Sequence, residues 1–266
     1  MSRMARLKNL FGLFRLQARV IYALLMRELH TRFGRENIGF LWMIGEPALF
    51  CGGVTAMWTL VRPSHEHGLP VTAFVVTGYV PLTMWRHAMF RAVKAFEANG
   101  SLLFHRQVTP LDIILARVIL EVVGTLMAAI LVAVSAIVLG LMQPPRDLGI
   151  LYLGIGMQIG FCLASALIVA ALSELSDLVE KSIQVIAYLA IPFSGAFTMV
   201  DWLPPKFRGW LLWSPSVQNI EMIRHGQFGS SARAHYNIGY DAFITLAMIL
   251  VGIVLVLNIR KHIEVQ

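Results

Sequence analysis

A few ionisable side chains lie within or beside long apolar stretches of this sequence: Glu46, Arg86, Arg117 and Glu121. Because a charge inside a bilayer is costly, such residues are functional candidates by default. Each lies near one end of its stretch, and the four-residue spacing of Arg117 and Glu121 predicts an ordinary ion pair within one helix. The four residues do not form the repeated mid-stretch charge pattern that is typical of an ion pump or a voltage sensor.

A second chemically capable region is residues 201–237, a long segment rich in Trp, Pro and Gly. Ser214-Pro215 supplies the residue types of a helix N-cap and first turn, which predicts a helix over 216–228. Glu221 and Arg224 would share a face of that helix, where they could bond a sugar or pair with each other. Two interpretations stay open: an interfacial anchor, since Trp favours the headgroup zone, or a gate whose aromatic faces pack against sugar rings.

Residues 91–110 form a polar, basic segment between two apolar stretches. The pattern predicts a helix that leaves the membrane, turns at Asn99-Gly100 and returns. Positive charge alone would keep such a loop in the cytoplasm. The apolar residues Leu102, Leu103 and Phe104 within it favour, in addition, a docking surface for a soluble partner.

Several catalytic and metal-binding patterns are missing from the sequence. It contains no Gly-Lys dipeptide, hence no P-loop, and neither a Gly-x-Ser-x-Gly elbow nor a zinc-protease helix. His65 and His67 lie on a short loop without further ligands, which is too little to predict a metal site. Cys51 and Cys162 lie inside apolar stretches and are interpreted as small buried hydrophobes. We therefore assign this chain no catalytic residue and no metal ligand.

The elements that must position these residues are membrane spans. Apolar residues make up 57% of the 266 residues and charged residues 14%, whereas a soluble domain carries about 25% charged residues. Most of the apolar stretches approach the ~20 residues that a helix needs to cross the hydrocarbon core. The predicted spans are 40–61, 69–89, 111–142, 150–172, 183–200 (interrupted by Pro192 and Gly195) and 238–259.

The distribution of Lys and Arg predicts the orientation of these spans. If the N-terminus is inside, the inner segments 1–39, 86–117, 173–182 and 260–266 carry 16 of the 22 Lys and Arg residues, and the outer segments carry 6. The positive-inside rule then places both termini in the cytoplasm. The net charge of +7 is explained by this topology, and no nucleic-acid partner is predicted.

The ordered set of motifs resembles the membrane subunits of type-2 ABC exporters, and most closely the capsular polysaccharide export permeases of the KpsM-like branch. The motifs extend over nearly the whole chain. They are Arg-Glu-Leu-x-x-Arg-Phe-Gly at 27–34, Gly39-x-x-Trp42, Glu46-Pro47, Ser194-Gly195, Trp202-Leu203-Pro204, and Ser214-Pro215 followed by Glu221-x-x-Arg224 and Phe228.

The resemblance implies an all-α polytopic membrane protein with six transmembrane helices. An N-terminal amphipathic interface helix would occupy residues 1–39, and the six-helix ABC-2 transmembrane domain residues 40–266. Short periplasmic re-entrant helices between spans five and six would form a gate at 201–237.

The resemblance also implies the partners. The chain would form a homodimer in the bacterial inner membrane, with the channel between the protomers. Two separate KpsT-like ATPase subunits would bind ATP and Mg, so that this chain itself holds no cofactor. A periplasmic KpsE-like co-polymerase and an outer-membrane export protein would receive the polymer.

Two groups of site residues follow as expectations. The contacts with the ATPase would be made by residues of the N-terminal helix and of the 91–110 loop: Arg27, Glu28, Arg32, Asn99, Ser101, Leu102, Leu103, Phe104 and Arg106. The polysaccharide channel and gate would be formed by Trp42, Tyr79, Trp85, Phe197, Trp202, Trp210, Trp213, Glu221 and Arg224.

The expected function is ATP-driven export of capsular polysaccharide across the inner membrane. Alternatives within transport are a permease for lipid-linked O-antigen, teichoic acid or a drug. A membrane-embedded glycosyl or acyl transferase would need a constellation of polar catalytic groups, which the sequence does not show. A secondary transporter usually shows an internal repeat or more polar residues in mid-span.

Overall fold

The structure is a computed structural model that describes residues 3–33, 39–61, 65–66, 68–103 and 108–263. The described residues include ten α-helices. The helices are α1 (Arg3–Phe33), α2 (Gly39–Val61), α3 (Val71–Ala92), α4 (Gly100–Leu103), α5 (Pro110–Val138), α6 (Leu148–Leu175), α7 (Asp177–Leu189), α8 (Pro205–Leu211), α9 (Pro215–Phe228) and α10 (Ile238–Ile263). Two short strands, β1 (His65–Glu66) and β2 (Leu69–Pro70), pair antiparallel between α2 and α3.

Local sequence explains where the two longest apolar helices begin. Thr109 caps α5 through a capping box, since its hydroxyl accepts from the Asp112 N–H while the Asp112 carboxylate accepts from the Thr109 N–H. Pro110 occupies the first turn of α5, where a missing N–H costs nothing. Asp147 caps α6 by accepting from the Ile150 N–H at 3.0 Å. The two helices are thereby fixed at the ends that carry these caps.

Helix α6 is the centre of the bundle and packs against α10, α9, α3 and α5. Small residues allow the close approach. A Cβ at Gly154 would lie 2.9 Å from Ile223 of α9, and one at Gly252 of α10 would lie 2.7 Å from Leu167 of α6. The main core contains Cys162, Ala166 and Ala170 of α6, so the prediction of a buried Cys162 is confirmed.

Four helices of the described residues are long and apolar enough to cross a membrane: Leu41–Val61, Pro110–Val138, Leu148–Leu175 and Ile238–Ile259. They correspond to predicted spans one, three, four and six. Helix α3 corresponds to predicted span two and has 22 residues, but Arg86, His87 and Arg91 reduce its hydropathy. Helix α7 has 13 residues, a length of about 20 Å, which is shorter than the hydrocarbon core.

The predicted fifth span at 183–200 does not form one helix. Helix α7 ends at Leu189, and a 3-10 turn follows at Ile191–Phe193. Pro192 has no N–H to continue the helical hydrogen bonding, and Gly195 adopts a φ of +76°, which favours glycine. The chain therefore leaves the helical path before residue 195, and the carbonyls of the following residues need other partners.

The predicted interruption of span five at Pro192 and Gly195 is confirmed, whereas the predicted turn at Asn99-Gly100 is wrong. Asn99 lies in a 3-10 turn and Gly100 begins α4 with helical dihedral angles. Helix α3 instead ends at Ala92, and Lys94, two residues later, has a φ of +48°. Asn99 contributes a different feature, because its side-chain amide donates to the Ala95 carbonyl at 2.8 Å and so stabilises the turn that follows the break.

Candidate functional site

Charged side chains of α1, α3 and α5, with one Asn of the 3-10 turn before α4, meet at the end of the bundle where α3 ends and α5 begins. We call this group the charge cluster; it consists of Arg27, Glu28, Arg91, Asn99, Arg117 and Glu121. Arg27 of α1 donates to Asn99 at 2.8 Å. Glu28 of α1 pairs with Arg117 of α5 at 3.3 Å. Helix α1 is therefore tied both to the segment after α3 and to α5.

The cluster continues between α5 and α3. Arg117 donates to the Arg91 carbonyl at 2.7 Å, and Glu121 pairs with the Arg91 guanidinium at 3.3 Å. His87 lies 3.6 Å from the other Glu121 oxygen. The sequence spacing had suggested a pair between Arg117 and Glu121 on one helix; the structure shows that each binds residues of other helices.

The segment between α3 and α4 is held by the end of α6. The Lys94 N–H donates to the Ser173 hydroxyl at 3.0 Å. The Phe96 and Glu97 N–H groups donate to one oxygen of Glu174 at 3.0 and 3.1 Å. Sequence analysis did not select Ser173 or Glu174; the only signal was their position as polar residues ending a long apolar helix.

The structure brings together only part of the predicted coupling surface. Arg27, Glu28 and Asn99 belong to the charge cluster, and Leu102 is half-buried on α4. Phe104 and Arg106 lie outside the described residues, as do the side chains of Arg32, Ser101 and Leu103. Helix α1 is further linked to α5 by a hydrogen bond from Gln17 to Asp112.

A second site lies around α9, which forms where Ser214-Pro215 predicted a helix. Nearly all of its side chains are buried. Arg224 is fully buried and donates to the carbonyls of Gly195 at 2.7 Å, Ala196 at 2.5 Å and Thr198 at 2.9 Å. These are carbonyls left without helical partners by the break after α7, so the guanidinium replaces the missing N–H donors.

Two further contacts fix the Arg224 guanidinium. It lies 3.9 Å from the centre of the Phe74 ring, a cation–π distance. Gly78 of α3 permits this approach, because a Cβ there would lie 2.7 Å from the Arg224 guanidinium and 2.1 Å from the Ala196 carbonyl oxygen. Helix α3, the irregular segment 195–198 after α7, and helix α9 are thus joined at one point.

Glu221 complements Arg224, because its carboxylate accepts hydrogen bonds from backbone N–H groups. Its two carboxylate oxygens accept from the Val200 N–H at 3.1 Å and from the His235 N–H at 2.9 Å. Burial raises the pKa of Glu221, while those two N–H groups and the nearby Arg224 favour the ionised carboxylate. We call Glu221, Arg224 and the backbone that they bind the α9 clamp. Both side chains bond backbone and are buried, so neither presents a free surface in the described part of the chain.

The predicted channel aromatics divide into two groups. Trp85, Trp202 and Phe197 are packed: Trp85 stacks on Phe161 and donates to Ser165 at 3.1 Å. Trp202 stacks on Phe74 at 4.8 Å, and Phe197 stacks on Trp58 at 5.4 Å between ring centres.

The other group is open or partly open. Trp42, Trp210 and Trp213 are exposed, with 56%, 83% and 78% of their surface accessible, and Tyr79 is half-buried. Each of these exposed Trp side chains presents a flat apolar ring face outside the packed core.

With this geometry described, the comparisons with known proteins decide the family. The model of the ABC-2 type transporter family matches residues 19–228. The chain belongs to the ABC-2 type transporter family. The match includes both the charge cluster and the whole of α9, and the resemblance inferred from the motifs is confirmed.

Relatives of known role align over nearly the full chain. The capsule polysaccharide export inner-membrane protein BexB of Haemophilus influenzae is 40% identical over 94% of this chain and 95% of its own length. CtrC of Neisseria meningitidis serogroup B, named likewise, is 38% identical with the same coverage. The polysialic acid transport protein KpsM of Escherichia coli is 26% identical over 91% of this chain and 94% of its own length. The chain is therefore a transporter membrane subunit, and the ATPase of such a system is a separate subunit.

Proposed function

We propose that this chain is the membrane subunit of an ATP-driven exporter of capsular polysaccharide in the bacterial inner membrane. The observation that carries the proposal is the 38–40% identity, over 94% of the chain, to relatives named as capsule polysaccharide export inner-membrane proteins. Identity that extends over almost the whole chain includes the segments that contact substrate as well as those that form the fold.

Six spans and a homodimer belong to this proposal. Five spans are the helices α2, α3, α5, α6 and α10, and the fifth in chain order is the interrupted segment 183–200, which begins in α7. Both termini lie in the cytoplasm, as the excess of Lys and Arg in the inner segments supports. Helices α2 and α10 expose most of their apolar surface. These faces supply the contacts with lipid and with a second protomer, and the channel lies between the two protomers.

The charge cluster is proposed as the coupling region. A KpsT-like ATPase subunit, which binds ATP and Mg, docks on the interface segment 1–39 and on the loop that includes Ser101 to Arg106. The contacts of Arg27 and Glu28 with Asn99 and Arg117 support this role, because a push on α1 or the loop reaches α3 and α5 directly.

The segment 201–237 is proposed as the gate of the six-helix domain 40–266. The α9 clamp supports this role. It binds the backbone of residues 195–200 after α7, and that of His235 before α10, to the one buried helix α9. The exposed Trp210 and Trp213 provide stacking surfaces that bind each sugar weakly and allow a polymer to slide. A KpsE-like periplasmic co-polymerase and an outer-membrane export protein take the polymer onward.

The test is the location of the polymer after deletion of the gene. Cells are labelled with a capsule-specific antibody before and after permeabilisation, with a plasmid copy of the gene as the control. Loss of surface polymer with accumulation inside supports export. Unchanged surface polymer would contradict capsule as the substrate, and loss of polymer both inside and outside would indicate a role in synthesis.

A further inference from the structure

Arg86 of α3 lies within a predicted span and takes part in neither the charge cluster nor the α9 clamp. Its guanidinium lies 4.6 Å from the centre of the Tyr188 ring on α7 and 5.6 Å from that of Phe90 on α3. Within the described part of the chain, no carboxylate forms an ion pair with it, and its buried Nε–H has no hydrogen-bond acceptor. Because an Arg side chain stays protonated in proteins, this guanidinium needs a partner for its N–H donors.

Two acidic residues near Arg86 interact with other side chains. Glu121 of α5 pairs with Arg91 at 3.3 Å. Glu46 of α2 and Arg86 both interact electrostatically with His87, which lies 3.6 Å from Glu121. The aromatic rings attract the charge of Arg86, but they do not accept its N–H groups as an oxyanion does. The guanidinium thus keeps donors for an anion that is not part of this chain.

Helix geometry places the contact of Arg86 with Tyr188 well inside the predicted membrane zone. Lys94, just after α3, contacts Asp177 at the start of α7 at 3.5 Å, so the two helices start from one level. Arg86 lies six residues before the end of α3, about 9 Å along it, and Tyr188 lies eleven residues into α7, about 16 Å along it. The Arg86 side chain leans toward the N-terminus of α3, so it does not extend back toward the charge cluster.

The same face of α3 carries Tyr79, and this face is open beside α7. Tyr79 and Arg86 are seven residues apart, which is two helical turns. The Tyr79 hydroxyl interacts electrostatically with both Arg86 and Tyr188, so the three polar groups lie near one another. Tyr188 exposes 58% of its surface, and Arg86 is half-buried. A charge that borders an open surface at this depth is costly against lipid, and such residues mark substrate pathways.

We propose that Arg86, with the hydroxyls of Tyr79 and Tyr188, binds an oxyanion of the exported polymer, either a carboxylate or a phosphate. This role rests on the proposed function and deepens it, since it requires the polysaccharide to carry acidic groups. The planar guanidinium matches two oxygens of either group, and each Tyr hydroxyl supplies a further donor. The rings of Tyr188 and Phe90 hold the guanidinium in place, so successive acidic groups meet one preformed site.

The test compares labelled native polymer with the same polymer after methyl esterification, which removes the charge of carboxylates and phosphates. Uptake is measured in inside-out vesicles that contain the chain and its ATPase, supplied with ATP. In the wild type, half-maximal uptake should need about tenfold more esterified than native polymer, the loss expected for one charge-assisted hydrogen bond. Arg86→Gln should need about tenfold more native polymer than the wild type and should no longer distinguish the two polymers.

The matched control is Arg146→Gln, which removes a positive charge from an exposed loop and should retain the wild-type preference for native polymer. A wild type that takes up both polymers equally well would overturn the proposal, as would an Arg86→Gln variant that behaves like the wild type. An equal loss for both polymers in Arg86→Gln would assign Arg86 to a lipid phosphate or to the fold, and would overturn it too. If Arg86→Gln does not reach the membrane, Tyr188→Phe decides: it keeps the ring and should lower the preference for native polymer by about threefold, whereas an unchanged preference would overturn the proposal.

Failure of the proposed function is recognised separately. Wild-type vesicles without ATP-dependent uptake of native polymer would contradict export, and binding of both labelled polymers to the purified chain in detergent then decides the site. Wild-type binding that favours native polymer about tenfold, with the preference lost in Arg86→Gln, would support the site. Equal binding of the two polymers to the wild type would overturn it.

Discussion

The charge cluster and the α9 clamp both use Arg and Glu, but they use them in opposite ways. In the charge cluster, Glu28 binds the side chain of Arg117, and both side chains remain partly accessible. In the α9 clamp, Arg224 and Glu221 are buried and bind backbone carbonyls and N–H groups. One region joins helices through side chains that can exchange partners, and the other holds irregular backbone in a single arrangement.

The difference indicates which parts of the molecule can move. The Glu28–Arg117 pair keeps 13–15% of its side-chain surface accessible, and the other charges of the cluster are alternative partners for both side chains, so a partner that pushes on α1 can rearrange the pairs. Bonds from a buried guanidinium to orphaned carbonyls are costly to break, because each carbonyl would then lack any donor. We therefore expect motion at the charge cluster to reach α9 as movement of a rigid unit. The following predictions test that contrast, beginning with the largest effect.

Substitution Arg224→Met should cause the largest loss. It leaves three carbonyls without donors, and we expect the free energy of unfolding to fall by about 3–5 kcal/mol, with loss of the chain from the membrane and of surface polymer. Arg208→Met is the matched control, since Arg208 also donates to two backbone carbonyls, of Leu203 and Asp201, but is partly exposed. Thermal unfolding and immunoblots of membranes measure both variants. An equal loss of stability in the two variants would show that the burial of Arg224 does not make its hydrogen bonds stronger than those of Arg208.

Substitution Gly78→Ala should cause the next largest effect. The added methyl group would lie 2.1 Å from the Ala196 carbonyl oxygen, and this overpacking should lower stability by about 2 kcal/mol. Gly156→Ala on α6 is the control, because a Cβ there meets no atom within 4 Å; it should be neutral or gain up to about 1 kcal/mol from helix propensity. Thermal unfolding compares the two. A Gly78→Ala variant as stable as the wild type would contradict the close contact of α3 with the clamp.

A double-mutant cycle on Glu28→Gln and Arg117→Gln should give a coupling energy smaller than the effect of Arg224→Met. We expect a coupling energy of about 1–2 kcal/mol in thermal unfolding, since the two side chains are in contact. We also expect surface polymer to fall by a larger fraction than the amount of folded chain in the membrane. The second result follows if the pair transmits movement from α1 to α5. A coupling energy as large as the Arg224 effect would mean that the charge cluster is as rigid as the clamp.

The smallest effect on stability is expected at the exposed tryptophans. Trp210→Ala removes a side chain that is mostly accessible, so the free energy of unfolding should change by less than about 0.5 kcal/mol. Trp202→Ala, which removes the stacking on Phe74, should cost about 3 kcal/mol. Surface polymer measured at equal membrane levels should nevertheless fall in Trp210→Ala. Normal export in that variant would contradict the proposal that Trp210 forms part of the gate.

The sequence predicted the elements better than the contacts between them. Apolar length identified α2, α5, α6 and α10, and Ser214-Pro215 identified the start of α9, because these signals are local. The partners of Arg224 were not predictable, because they are backbone carbonyls, which every residue has whatever its side chain. Glu174 was missed for a related reason: it accepts from N–H groups 77 and 78 residues away. Pro192 and Gly195 did signal a break, but not that α7 would end at Leu189.

The central claim is that this chain moves polysaccharide outward at the expense of ATP hydrolysed by a partner. It is tested most directly with inside-out inner-membrane vesicles that contain the chain and its ATPase, supplied with labelled capsular polymer on the exposed cytoplasmic face. We predict uptake that requires hydrolysable ATP and is absent from vesicles without the chain. Uptake that is equal without ATP, or equal in vesicles lacking the chain, would contradict the account.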